Sequence, residues 1–211
     1  MSIGGTNGPR AGYTRIMTKP AKPLFKIDKK AKALFKPYKD SAPVKVLDTL
    51  GEVGDQLQLR VLCSGLIGLG LLRADWRMMR AGVRMLLAHE LATFVKGVVK
   101  ERVDRTRPRS TQSRKASRPH KGRSTAKEQQ SFPSGHSAGA VAVASAFASV
   151  YPAYRAPAMA AAGAVALVQV PTCAHYPSDV AAGSAVGAAS NGALTIAGRA
   201  LRRMAVAAVR W

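Results

Sequence analysis

Pro133-Ser134-Gly135-His136 opens an uncharged, Ala-rich run, and each of its residues has a local reason to stand at a helix start. Pro133 fixes φ, Ser134 is a strong N-cap, and Gly135 has no Cβ to hold a ligand away from the backbone. The helix it begins presents unpaired N–H groups, which form an anion site, with His136 in the first turn beside the anion. An ordinary capped helix with an incidental histidine has the same local sequence, so other residues must decide.

His175 precedes Asp179 by four positions, in Ala174-His175-Tyr176-Pro177-Ser178-Asp179. Pro177 suits the first position of a helix, which places Asp179 near N3, where a carboxylate reaches back over the helix start. There it can accept a proton from one His175 nitrogen and leave the other as a nucleophile. A helix cap beside a bystander histidine has the same pattern. Lys100 and Arg107 lie nearly two helical turns apart, about 10 Å along one face if helix persists between them. In a chain with 33 Lys and Arg residues, a solvated basic face is the simpler account of that pair. Together these groups suit phosphoryl transfer, which needs cations and N–H donors around phosphorus and an acid with a near-neutral pKa.

The elements that must hold them divide the chain at residue 131. All but five of the Lys and Arg residues lie before it, and Asp179 is the one acid after it. The net charge of +22 calls for a polyanionic partner: nucleic acid, anionic lipid or a phosphate-bearing substrate. Residues 1–50 read as a basic, disordered tail, in which Ala21-Lys22-Pro23-Leu24-Phe25-Lys26 is echoed by Ala31-Lys32-Ala33-Leu34-Phe35-Lys36. Leu-Phe pairs between lysines suit an anionic membrane surface, and a solvated tail is the alternative. No apolar signal-like stretch precedes residue 50, and Cys63 and Cys173 have neither disulfide-framework nor metal-ligand spacing.

Residues 57–72 and 81–102 are the first helix candidates, and 109–130 reads as a solvated basic loop. Three uncharged stretches follow, 129–154, 156–178 and 180–198, rich in the small residues that let membrane helices pack closely; Ala and Gly are only weakly hydrophobic, and a soluble helical core is the alternative. The fold class expected is all-α, a multi-pass transmembrane helical bundle over 51–211.

Taken in order, Lys100 with Arg107-Pro108, then Pro133-Ser134-Gly135-His136, then His175 with Asp179 resemble the motifs of the type 2 phosphatidic acid phosphatase family. Soluble acid phosphatases and vanadium-dependent haloperoxidases belong to the same superfamily. The resemblance covers residues 100–179 and implies that His175 attacks phosphorus, Asp179 orients it and His136 protonates the leaving alkoxide. It further implies that Lys100, Arg107, Ser134 and Gly135 hold the phosphoryl oxygens, with no metal and no cofactor. One position departs from the family pattern. Gln169, six residues before His175, stands where the family carries arginine, and Val168 stands where it carries serine. Glutamine donates a hydrogen bond but brings neither charge nor a bidentate fork.

The resemblance implies a lipid phosphate or pyrophosphate as substrate, prenyl or phosphatidate-like. The rival readings are a weak or inactive phospholipid-binding relative and a basic nucleic-acid binder; few stacking aromatics and no recognised module argue against the latter. With helices alternating in direction, all the motifs fall at one end, together with the tail and the 109–130 loop. The positive-inside rule then places the site toward the cytoplasm of a bacterial inner membrane.

Overall fold

Five helices form a bundle in the computed structural model, which describes residues 22–113 and 116–209. They are α3 (Gln56–Leu72), α4 (Trp76–Lys100), α5 (Gly135–Val150), α6 (Arg155–Val168) and α7 (Pro177–Ala208), preceded by α1 (Lys22–Phe35) and α2 (Ala42–Gly51). Between α4 and α5 the chain makes one antiparallel ladder, β1 (Val103–Asp104) against β2 (His120–Lys121). Beside it, Arg105 and Gln130 form an isolated parallel bridge.

Local chemistry starts four of the five bundle helices; α6 follows Tyr154 without a side-chain cap. Asp55 caps α3 by accepting from Gln56 N, Asp75 caps α4 through Met78 N, and Ser134 caps α5 through Ser137 N. Pro177 stands at the start of α7, with Asp179 in its first turn. α5 is the central helix, and from Ser137 to Ala148 nearly every residue is buried. Its Ala138, Ala142 and Ala146 pack with Leu59 of α3 and Met85, Ala88 and Ala92 of α4, while Ala140, Val141 and Ala144 meet Ala162 of α6.

α7 crosses α5 through Gly183 and Gly187, which have no room for a side chain. A Cβ on either would lie 2.3 Å from a carbonyl oxygen, of Ser134 or Ala138 respectively. This close approach ties the start of α7, which carries Asp179, to the start of α5, which carries His136.

Two expectations change. Residues 22–50 are not a disordered tail: α1 docks against the start of α7, and α2 lies against α6. Its composition suggested disorder because the groups that fix α1 are polar and pair across long sequence distances. Asp28 and Lys32 are buried, and Lys32 Nζ donates to Ser113 O at 2.6 Å. Residues 1–21 lie outside the described residues. The 109–130 segment is likewise packed in places: Ala116 is buried, and Arg118 stacks over the ring of Phe25 at 4.5 Å.

Among the described residues, α7 alone is long and apolar enough to cross a membrane by length and composition; α3 and α5 are shorter apolar helices. Large apolar side chains nevertheless cover the outside of the bundle, among them Leu62, Leu72, Trp76, Leu87, Phe94 and Ile196.

Candidate active site

His175 sits in the turn between α6 and α7, almost wholly buried. Its backbone N–H donates to Gln169 O at 3.0 Å, and its Nδ1 lies 2.7 Å from Ser131 O. A carbonyl can only accept, so Nδ1 carries the proton and Nε2 is left with its lone pair. Burial pushes the imidazole down to about 4, and it stands neutral at neutral pH.

Asp179 does not take the His175 proton directly, as the sequence suggested. Its Oδ2 is 3.8 Å from Nδ1 and instead accepts from Ser131 Oγ at 2.6 Å and from Tyr176 N at 2.9 Å. Ser131 thus bridges the two, hydroxyl to Asp179 and carbonyl to His175. The other carboxylate oxygen pairs with Arg105. Arg105 is itself buried and also donates to Asp28 Oδ2 at 2.7 Å, Ser178 Oγ at 2.7 Å and Ser117 O at 3.0 Å. Its guanidinium lies 4.0 Å from the centre of the Tyr176 ring. Asp28 closes the network by accepting from Ser178 N at 3.0 Å.

A cavity of about 480 Å³ opens in front of His175. It brings together Lys100, Arg107, Gly135, His136, Gln169 and His175. Lys100 Nζ donates to Gln130 O at 3.1 Å, and Arg107 Nε donates to Lys127 O at 3.0 Å. That leaves the terminal nitrogens of Arg107 without hydrogen-bond partners among the described residues. The ring of His136 makes no hydrogen bond among the described residues either. Asp48, Glu52 and Asp55 also line the cavity, and Asp48 pairs with Arg109 at 3.8 Å.

Ser134 is the expected ligand that does not reach the cavity. It is fully buried, with its Oγ 2.9 Å from Ser137 Oγ, and its N–H donates to Asp179 O at 3.0 Å. Capping α5 and tying it to α7 consume this residue. Gln169 lines the cavity and is buried, but its Nε2 makes only a 3.4 Å contact with Val165 O.

The sequence reading missed Lys96, one turn before Lys100 and 8% exposed. It lines the same cavity and has no hydrogen-bond or salt-bridge partner among the described residues. Its Nζ is 3.4 Å from where a Cβ on Gly135 would stand, beside the N-terminus of α5. The signal was its four-residue spacing from Lys100 on one helix face, hidden in a chain so rich in cations. Arg105 and Asp28 were also missed. No three His, Cys, Asp or Glu side chains gather as a metal-binding set among the described residues.

The helical bundle brings a buried histidine and a cluster of lysines and arginine to one cavity. Residues 81–203 match the PAP2 superfamily, and the chain belongs to that superfamily. Two similar proteins are the lipid A 1-phosphatases of Rhizobium johnstonii and Rhizobium etli. The first is 49% identical over 59 residues, 28% of this chain and 24% of that protein. The second is 48% identical over 58 residues, 28% of this chain and 25% of that protein. The chain therefore matches about a quarter of the length of these relatives. A crystal structure of a transmembrane PAP2-type phosphatidylglycerolphosphate phosphatase from Bacillus subtilis shares the fold, with a TM-score of 0.57 at 19% identity. That likeness covers 85% of this chain and 88% of that one.

Proposed function

We propose that this protein is an integral membrane phosphatase that hydrolyses a lipid phosphate monoester or pyrophosphate through a phosphohistidine. The observation that carries the reading is His175, held with its Nδ1 proton on Ser131 O and its Nε2 lone pair free, in a cavity lined by Lys96, Lys100 and Arg107. In the first step Nε2 attacks phosphorus, an N–P bond forms and the P–O bond to the lipid breaks. His136 gives its proton to the departing oxygen. In the second step water attacks phosphorus, His136 takes the water's proton, and the N–P bond breaks to release phosphate and restore His175.

Lys96, Lys100, Arg107 and the N–H groups at the start of α5 stabilise the charge on the phosphoryl oxygens. Lys96 supplies a charge where Gln169 offers none. No step is assigned to a metal or another cofactor. The exposed leucines and aromatics on α3, α4 and α7 face lipid, and the catalytic mouth opens at the interface among the basic residues of 23–58, 100–113 and 116–130. α1 leaves Leu24, Ile27 and Leu34 exposed between its lysines, a face suited to an anionic membrane surface. The basic residues around the mouth support a cytoplasmic orientation.

Gln169 favours a second reading, a family member that binds lipid phosphate with little turnover. Purified protein in detergent, given a panel of prenyl phosphates, phosphatidate and glycolipid phosphates, separates the two. Phosphate release from at least one of them, lost in His175→Ala, is expected. Binding without release from any of the panel would favour the second reading.

A further inference from the structure

The outer seam between α4 and α7 carries a groove that the proposed phosphatase site does not use. At the end of the bundle away from His175, Arg80 and Arg84 of α4 and Arg199 and Arg202 of α7 line a cavity of about 490 Å³ with no acid in its wall. Arg84 is fixed by hydrogen bonds to Thr195 and, at 3.1 Å, to Asn191 Oδ1. Arg80, Arg199 and Arg202 have no hydrogen-bond or ion-pair partner among the described residues. Four like charges facing one space repel each other, more so beside lipid than in water, and an anion between them relieves that repulsion.

The same seam changes character toward the middle of the bundle. Val83, Leu87 and Leu194 share the arginine cavity, and the next opening along α4 and α7, about 470 Å³, is bordered by Leu91, Val95 and Ala189. Ser190, the hydroxyl in that wall, donates to Val186 O at 2.9 Å and offers the groove little polarity. On α4 the steps from Arg80 through Arg84, Leu87 and Leu91 to Val95 are three or four residues each, one helix face about 22 Å long. That exceeds one leaflet of a hydrocarbon core about 30 Å thick.

We propose that this seam is a binding site for an anionic phospholipid, with its phosphodiester among the four arginines and one acyl chain along Leu87, Leu91 and Val95. A free phosphate accounts for the arginines but not for the apolar trough continuous with them. The lipid lies in the leaflet opposite the catalytic mouth. A phosphodiester is not the monoester or pyrophosphate that the proposed reaction cleaves, so the site is structural or regulatory. The inference rests on the bundle spanning a membrane and is independent of catalysis at His175.

The test is native mass spectrometry of the detergent-purified full chain, with His175's cavity saturated by vanadate. Dioleoylphosphatidylglycerol and dioleoylphosphatidylcholine are added in turn, with inorganic phosphate as competitor. One retained phosphatidylglycerol is expected, favoured over phosphatidylcholine at least about tenfold, because each surface cation contributes about 1 kcal/mol. The preference should vanish in Arg80→Gln/Arg199→Gln/Arg202→Gln. Leu91→Trp, which fills the trough and leaves the arginines intact, should lower retention of both lipids and serves if the triple variant does not fold. Equal retention of the two lipids, unchanged retention in both variants, or displacement by inorganic phosphate overturns the proposal. Failure of the membrane reading would appear separately, as protein that stays in solution without detergent.

Discussion

His175 gives its Nδ1 proton to a main-chain carbonyl, and Asp179 acts on it at one remove, through Ser131. Asp179→Asn should therefore leave the tautomer intact and cost less than the roughly 10⁴-fold seen when a triad carboxylate alone sets it. Steady-state turnover of purified Asp179→Asn checks this. Because burial holds the imidazole at about 4, well below an ordinary histidine, protonation quenches the nucleophile only in acid. The acid limb of kcat/KM should therefore fall only as pH approaches 4, while the alkaline limb follows loss of the His136 proton that the leaving group needs. An acid limb halved near 6.5 would contradict the assignment. Lys96 is argued to replace the charge missing at Gln169. Lys96→Met should lower turnover about 100-fold, and adding Gln169→Arg should recover at least about tenfold of it, more than Gln169→Arg gains in the native background. Equal gains in the two backgrounds would show that the positions act independently.

The helices bring these residues together from distant parts of the chain, and their own contacts set how firmly. Arg105 sits between Asp28 of α1 and Asp179 of α7, a buried ion pair on each side. Removing it leaves two carboxylates unpaired, and Arg105→Met should cost about 3–5 kcal/mol of stability, read as a lowered Tm. Gly183→Val should be as damaging, since its Cβ would overlap Ser134 O where α7 crosses α5. Much of the helix plan was legible in the sequence. Residues 57–72 were read where α3 runs from Gln56 to Leu72, and Pro133-Ser134-Gly135-His136 opens α5 as its residue types require. α1 was not legible, because the face it buries is polar. Asp28 finds Ser178 and Arg105, partners that no local pattern announces. The Ser131 carbonyl was equally hidden, since main-chain groups carry no residue signature. Ser134 was legible as the cap of α5.

Across the whole molecule, the cavity, the docked α1 and the 100–130 segment lie at one end of the bundle, and the arginines of the α4–α7 seam at the other. Sidedness is testable with Thr125→Cys in a background lacking Cys63 and Cys173. In intact cells this cysteine should resist an impermeant thiol reagent and react once the cells are lysed. Labelling in intact cells would place the catalytic mouth on the outer face. The central claim, a covalent phosphoenzyme on His175, is tested most directly by trapping it. Protein mixed with a radiolabelled lipid phosphate is quenched in alkali, where phosphohistidine survives, and digested for peptide mapping. Label on the peptide containing His175, absent from His175→Ala, is the expected result. Label on another residue, or native turnover in His175→Ala, would contradict it.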